Sequence, residues 1–167
     1  MPSAVMPFYG DNIITQTYKL YKHNGIDIYC PNSDEVRAIC SGLVLLARRD
    51  NVNGGGNIGM GEDNAGNVWL YAHLKEILVK ENTRVFTGDM IGIQGNTGNS
   101  KGKHLHLAYM LNGDPNHFVN PCDILGVELK VGDKITFTPE TYIQCKVVKQ
   151  TKNSIQVEYE NMRGTLK

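Results

Sequence analysis

Residues 104–113 read His104-Leu105-His106-Leu107-Ala108-Tyr109-Met110-Leu111-Asn112-Gly113. Side chains along a strand alternate faces with period two, so His104 and His106 project from one face and Leu105 and Leu107 from the other. Asn112-Gly113 is a hairpin signal, because a tight reversal needs residues that tolerate positive φ. The stretch predicts a strand that turns back on itself, as in an antiparallel sheet. Two imidazoles on one face can share a metal, or divide into one ligand and one acid–base group.

The same grammar extends outward. Gly95, Gly98 and Gly102 punctuate a loop that leads into the His pair, and Met90-Ile91-Gly92-Ile93 before it reads as a strand after a Thr87-Gly88-Asp89 turn. Val68-Trp69-Leu70-Tyr71-Ala72 reads as another strand, ending at His73; residues 75–80 read as a helical turn or a loop crossing. Residues 50–67 are loop-rich, with three consecutive glycines after Asn53. Residues 18–20, 26–29, 36–39 and 43–46 read as short strands separated by turns at Asn24-Gly25, Pro31-Asn32-Ser33-Asp34 and Ser41-Gly42. The character changes near Asn120-Pro121. Beyond it, residues 134–137, 142–148 and 154–159 alternate between turns at Val131-Gly132-Asp133 and Thr151-Lys152-Asn153. The expectation is an all-β chain: an antiparallel domain over residues 1–126 and a small β-rich module, SH3-like or docking in kind, over 127–167.

Composition removes several functions. Lys+Arg and Asp+Glu both total 17 in 167 residues, so a dominant nucleic-acid-binding surface is not expected. No run approaches the ~18 apolar residues that span a bilayer. The opening MPSAVMPFYGDNIIT has neither the cationic region nor the apolar core of a secretory signal. Cys30, Cys40, Cys122 and Cys145 form no metal-ribbon spacing and read as buried thiols.

Chemistry concentrates in the five histidines. His23 and Asp27 lie four apart across the Asn24-Gly25 turn, which can fold back so that imidazole and carboxylate converge. Imidazole nitrogen and carboxylate oxygen both suit zinc, and catalytic zinc sites combine three protein ligands with an open position. His117 reads as a surface loop residue.

Taken together, four segments resemble the M23 family of zinc endopeptidases, the lysostaphin-like group, over about residues 15–125. His23-Asn24-Gly25-Ile26-Asp27 is similar to the family's H-x-G-x-D, Tyr71-Ala72-His73-Leu74 to its Y-x-H-L, residues 85–102 to its glycine-rich approach loop, and His104-Leu105-His106 to its H-x-H. The resemblance implies an antiparallel core of the duplicated-hybrid-motif type and a Zn2+ ion held by His23, Asp27 and His106. It further implies a catalytic pair, His73 and His104, with the general base open between them. Asn57 falls where the family often has an Asn, in a substrate-binding or a structural role. The implied substrate is peptidoglycan, cut at peptide bonds of its stems or cross-bridges. Three departures bear on substrate preference: Ile58-Gly59-Met60-Gly61-Glu62 where a β-branched strand is usual, Lys103 where a proline is common, and Leu107-Ala108 where an aromatic and an acid often follow. The glycines predict a bulged or reshaped strand.

Two other readings compete. A catalytically inactive wall-binding or regulatory module typically lacks a ligand, and none is missing here. A phosphocarrier of the glucose IIA type has no use for H-x-H beside Y-x-H-L. A wall-cutting chain without an export signal leads to the expectation of a phage-tail or particle component with tail-protein partners, acting at the bacterial cell wall or released at lysis. The other expectation is a domain trimmed from a longer protein.

Overall fold

The computed structural model describes residues 5–126, 128–137, 143–151 and 154–161. In chain order the strands are β1 (Gly10–Gln16), β2 (Gly25–Tyr29), β3 (Glu35–Arg37), β4 (Gly42–Asp50), β5 (Gly56–Asp63), β6 (Val68–Leu74) and β7 (Glu76–Ile77). They continue as β8 (Arg84–Val85), β9 (Met90–Ile93), β10 (Leu105–Met110) and β11 (Phe118–Val119). One short helix, α1 (Pro121–Leu125), precedes β12 (Lys134–Phe137), β13 (Ile143–Thr151) and β14 (Ser154–Asn161). All the described pairings between strands are antiparallel.

The main sheet has nine strands in the order β12-β1-β2-β10-β6-β5-β4-β8, with β11 paired to β10. A second sheet, β3-β9-β7, shares its core. β10 runs through the middle of the main sheet and is buried on both faces. Leu105 and Leu107 are fully buried on the face opposite the histidines, among Ile26, Ile28, Trp69 and Phe8. Each such leucine contributes roughly 1.5–3 kcal/mol through burial. The core thus holds β10 and β2 rigidly, and with them the residues on their other face. The Asn112-Gly113 reversal is present, with φ of 51° and 64°, in a short 3-10 turn that leads back to β11.

Three local expectations differ from the structure. Residues 56–63 of the loop-rich stretch form β5, because backbone pairing to β4 and β6 does not require side chains; its register slips against both neighbours, but the extra residues lie in β4 and β6 and not among the β5 glycines. Residues 75–80 contain β7, since the Lys75 and Leu78 amides donate to the Ile93 and Ile91 carbonyls and so continue the second sheet. Residues 18–20 form no strand: a Lys19–His23 bridge closes a tight loop there, with Tyr21 at φ 61°, and β1 lies upstream. Beyond residue 126, β12 pairs with β1, seated by the Ile14 amide on the Asp133 carbonyl, while β13 and β14 pair with each other. Lys152 and Asn153 of the expected turn lie outside the described residues, as do Val127, residues 138–142 (with Tyr142 of the expected 142–148 strand) and residues 162–167 of the expected module.

Candidate metal centre and active site

Pairing of β2 with β10 sets Asp27 directly opposite His106, both on the face away from the core. The carboxylate Oδ1 lies 2.8 Å from His106 Nδ1 and 3.0 Å from His23 Nε2, and those two nitrogens are 3.2 Å apart. The Lys19–His23 bridge delivers the third group, with its ring edge-on to His106 at 4.9 Å between centroids. Ligands at ~2.0–2.1 Å around a tetrahedral zinc stand about 3.3 Å apart. The triangle is close to that spacing, and two nitrogens with one oxygen are the donors zinc accepts.

The far side of each ring fixes its tautomer. His23 Nδ1–H donates to the Thr17 carbonyl at 2.9 Å, and His106 Nε2–H donates to Asn24 Oδ1 at 3.1 Å. Both acceptors lack a proton to give, so in the neutral rings His23 Nε2 and His106 Nδ1 are the atoms left free to bind a metal, as metal-ligating histidines require; without an ion, a ring protonated there donates to Asp27 instead. Burial alone would raise the Asp27 carboxyl, but hydrogen bonds and charge from His106 and His23 hold it well below the usual carboxylate range. Asp27 is therefore an anion at neutral pH. Burial disfavours the His23 cation, yet its bonds to Asp27 and Thr17 raise it on balance. Gly25 makes the close approach possible: a Cβ there would sit 2.3 Å from the Leu107 carbonyl oxygen and 2.9 Å from the His106 ring.

His73 and His104 face the triangle from the other side. Their rings are 4.9 Å apart, and His73 is 6.0 Å from His106. On β6, Ala72 and His73 stand opposite the single residue Ile58 of β5, a β-bulge that re-aims the strand. His73 holds a left-handed φ of 62° there, a conformation costing a non-glycine residue about 1–2 kcal/mol. Its amide donates to the Gly55 carbonyl and its Nδ1–H to the Thr97 carbonyl, each at 2.8 Å. Burial lowers its pKa, and the neighbouring His104 and His106 reinforce this against the Thr97 bond, so the ring is neutral. His104 Nδ1–H donates to the Gly102 carbonyl at 2.7 Å, while its Nε2 lies 3.7 Å from Asp27 Oδ2. Both rings thus spend Nδ1–H on backbone carbonyls and keep an Nε2 lone pair as a proton acceptor.

A cleft of about 1120 Å3 contains all five groups. It is lined by Lys22 and Asn24, the Asn53-Gly54-Gly55 loop and residues 99–103, together with the apolar side chains of Met60, Leu70, Met110 and Phe118. Asn57 does not line this cleft: its Nδ2 donates to the Lys75 carbonyl at 3.0 Å and its amide to Thr97 Oγ1. His117 is exposed on the loop before β11. Sequence reasoning missed Thr17, Asn24 and Thr97, whose residue types carry no signal; only the position of Asn24 inside H-x-G-x-D and of Thr97 among loop glycines could have drawn attention.

Residues 21–120 match the sequence profile of peptidase family M23. The chain is 37% identical over 95 residues to the glycyl-glycine endopeptidase ALE-1 of Staphylococcus capitis, covering 57% of this chain and 26% of that protein. It is 36% identical over 129 residues to the DD-carboxypeptidase/endopeptidase Mpg of Neisseria meningitidis serogroup B, covering 76% of this chain and 28% of that one. Little more than a quarter of these relatives' length is therefore spanned. The crystallised catalytic domain of lysostaphin from Staphylococcus simulans superposes with a TM-score of 0.61 at 32% identity, covering 71% of this chain and 92% of that domain. The matched segment begins just before His23 and ends after β11, so it carries the whole triangle and both facing histidines: the chain belongs to peptidase family M23.

Proposed function

We propose that the chain is a zinc-dependent endopeptidase that hydrolyses peptide bonds in the stem peptides or cross-bridges of peptidoglycan. The observation that carries this reading is the convergence of His23 Nε2, Asp27 Oδ1 and His106 Nδ1, with both tautomers set from behind, opposite two imidazoles that present acceptor nitrogens. His23, Asp27 and His106 would hold the ion. Zinc bound there supplies Lewis acidity, polarising a scissile carbonyl and acidifying water. His73 and His104 move the protons: an Nε2 lone pair receives a proton from the attacking water, and the same nitrogen returns it to the leaving amine. Their bonds to the Thr97 and Gly102 carbonyls keep each ring in that role through the transfer. The names of the relatives attach peptide-bond cleavage to proteins that share this segment, which supports the substrate class.

The test is digestion of purified peptidoglycans of several cross-link chemistries by the zinc-loaded chain, with released fragments and new amino termini identified by mass spectrometry. The expected result is release from at least one chemotype, abolished by a chelator and restored by zinc. Binding to the wall without release from any chemotype would instead make the chain a catalytically inactive wall-binding module.

A further inference from the structure

We propose that Thr97 is a positioning residue for His73, its hydroxyl locking the peptide group that fixes the His73 tautomer and aim. The proposal rests on the catalytic role given to His73 above. Thr97 meets the chain around His73 at four points. Its carbonyl accepts His73 Nδ1–H at 2.8 Å, and its amide approaches the His73 carbonyl at 3.4 Å. Its hydroxyl donates to the Leu74 carbonyl at 2.7 Å and accepts from the Asn57 amide at 3.0 Å. Leu74 follows His73, and Asn57 is the β5 residue paired with Leu74 at the mouth of the bulge. One hydroxyl therefore ties the β9–β10 loop to both strands of the bulge.

The tie matters because His73 is not held by an ordinary strand. Its left-handed backbone persists only when the surroundings over-determine it. Behind Thr97 the β4–β5 loop and the start of β5 leave no slack: a Cβ at Gly56 would lie 2.4 Å from the Thr97 carbonyl carbon, and one at Gly98 would lie 2.2 Å from the Gly54 carbonyl oxygen. The Thr97 peptide is thereby packed on one side and bolted by its own hydroxyl on the other. Without that hydroxyl, the Leu74 carbonyl and Asn57 amide lose their partner and the peptide is released to tilt. A tilted carbonyl no longer favours the proton on Nδ1. The other tautomer places a hydrogen on Nε2, where the proposed proton transfer needs a lone pair.

The experiment compares wild type, Thr97→Val and Thr97→Ser as zinc-loaded full chains on a soluble cross-linked muropeptide. Thr97→Val is expected to lower kcat on the order of 10- to 100-fold, with KM within about twofold and zinc content unchanged. Thr97→Ser, which keeps the hydroxyl, is expected to recover most of the lost rate. A Thr97→Val rate within twofold of wild type, a loss carried by KM, or a serine variant no better than valine would each overturn the proposal. Nitrogen-15 spectra of the wild-type His73 ring give a readout that needs neither the variants to fold nor the substrate to be right. They are expected to show the proton on Nδ1, exchanging slowly with solvent; a proton on Nε2 would overturn the proposal even in a fully active enzyme. Inactivity of the wild type on every muropeptide would instead sink the proposed function, and the ring spectrum would still decide the Thr97 tie.

Discussion

Gly25→Ala tests the reason a glycine stands between His23 and Asp27. The added Cβ would lie 2.3 Å from the Leu107 carbonyl oxygen and 2.9 Å from two atoms of the His106 ring, where real Cβ atoms essentially never come nearer than 3.0 Å. The first obstacle is backbone of the neighbouring strand, paired to β2 through Ile26–Leu107 and Gly25–Ala108, so no rotamer change relieves it. Either β2 and β10 separate by several tenths of an ångström, or the ladder breaks at its edge. Overpacking of this kind costs typically 1–3 kcal/mol. At about 2–4 °C per kcal/mol for a chain of this size, metal-free Gly25→Ala should melt roughly 2–12 °C below wild type. The second obstacle is the ring of a proposed ligand. Displacing His106 should weaken zinc by at least the ~10- to 100-fold typical of disturbed support behind a ligand. Thermal melting of metal-free protein and zinc titration against a competing chelator measure the two effects separately. Unchanged melting together with unchanged zinc affinity would refute the reasoning, because the alanine would have to fit where there is no room.

Asn24→Ala removes the acceptor of His106 Nε2–H; zinc affinity by chelator competition should fall ~10- to 100-fold, while metal-free stability stays within ~0.5 kcal/mol, since the residue is exposed. Asp63 is buried and accepts hydrogen bonds from the Tyr109 hydroxyl and the Ala65 and Asn67 amides. Asp63→Ala should therefore cost about 2–3 kcal/mol in denaturant melts and leave zinc affinity unaltered, the reverse of Asn24→Ala. Burial pushes the Cys40 and Cys122 thiols up to about 12 and about 11, against ~8.5 in an unfolded chain. Their contribution is whole below about pH 8.5. As pH rises above that, the unfolded state sheds the protons first and stability falls by at most about 1.4 kcal/mol per pH unit for each thiol. Peptide mapping after alkylation at pH 8 should find both unmodified in native protein and modified after unfolding.

Legibility followed how each segment solves its hydrogen bonding. β10 was plain in the sequence because Leu105 and Leu107 alternate with His104 and His106, and the same period put the leucines in the core and the histidines on the opposite face. β1 was hidden because Asn12 occupies a core position. It is fully buried there, with its side chain bonded to Phe8, Gly10 and Ile135 backbone groups, so the polar letter conceals an inward-facing residue. The pairing of β12 with β1 joins residues more than a hundred positions apart, which no local pattern encodes. At the site, His23, Asp27, His73, His104 and His106 were legible as residue types at motif spacings. The groups that orient them were not, because Thr17, Thr97 and Gly102 act through backbone carbonyls that every residue possesses.

The most direct measurement of the central claim is anomalous diffraction at the zinc absorption edge from crystals of the full chain grown with zinc. One strong peak is expected within ~2.0–2.2 Å of His23 Nε2, Asp27 Oδ1 and His106 Nδ1, with His73 and His104 beyond bonding distance of it. A peak ligated by His73 or His104, or none at the triangle in zinc-saturated crystals, would contradict the claim.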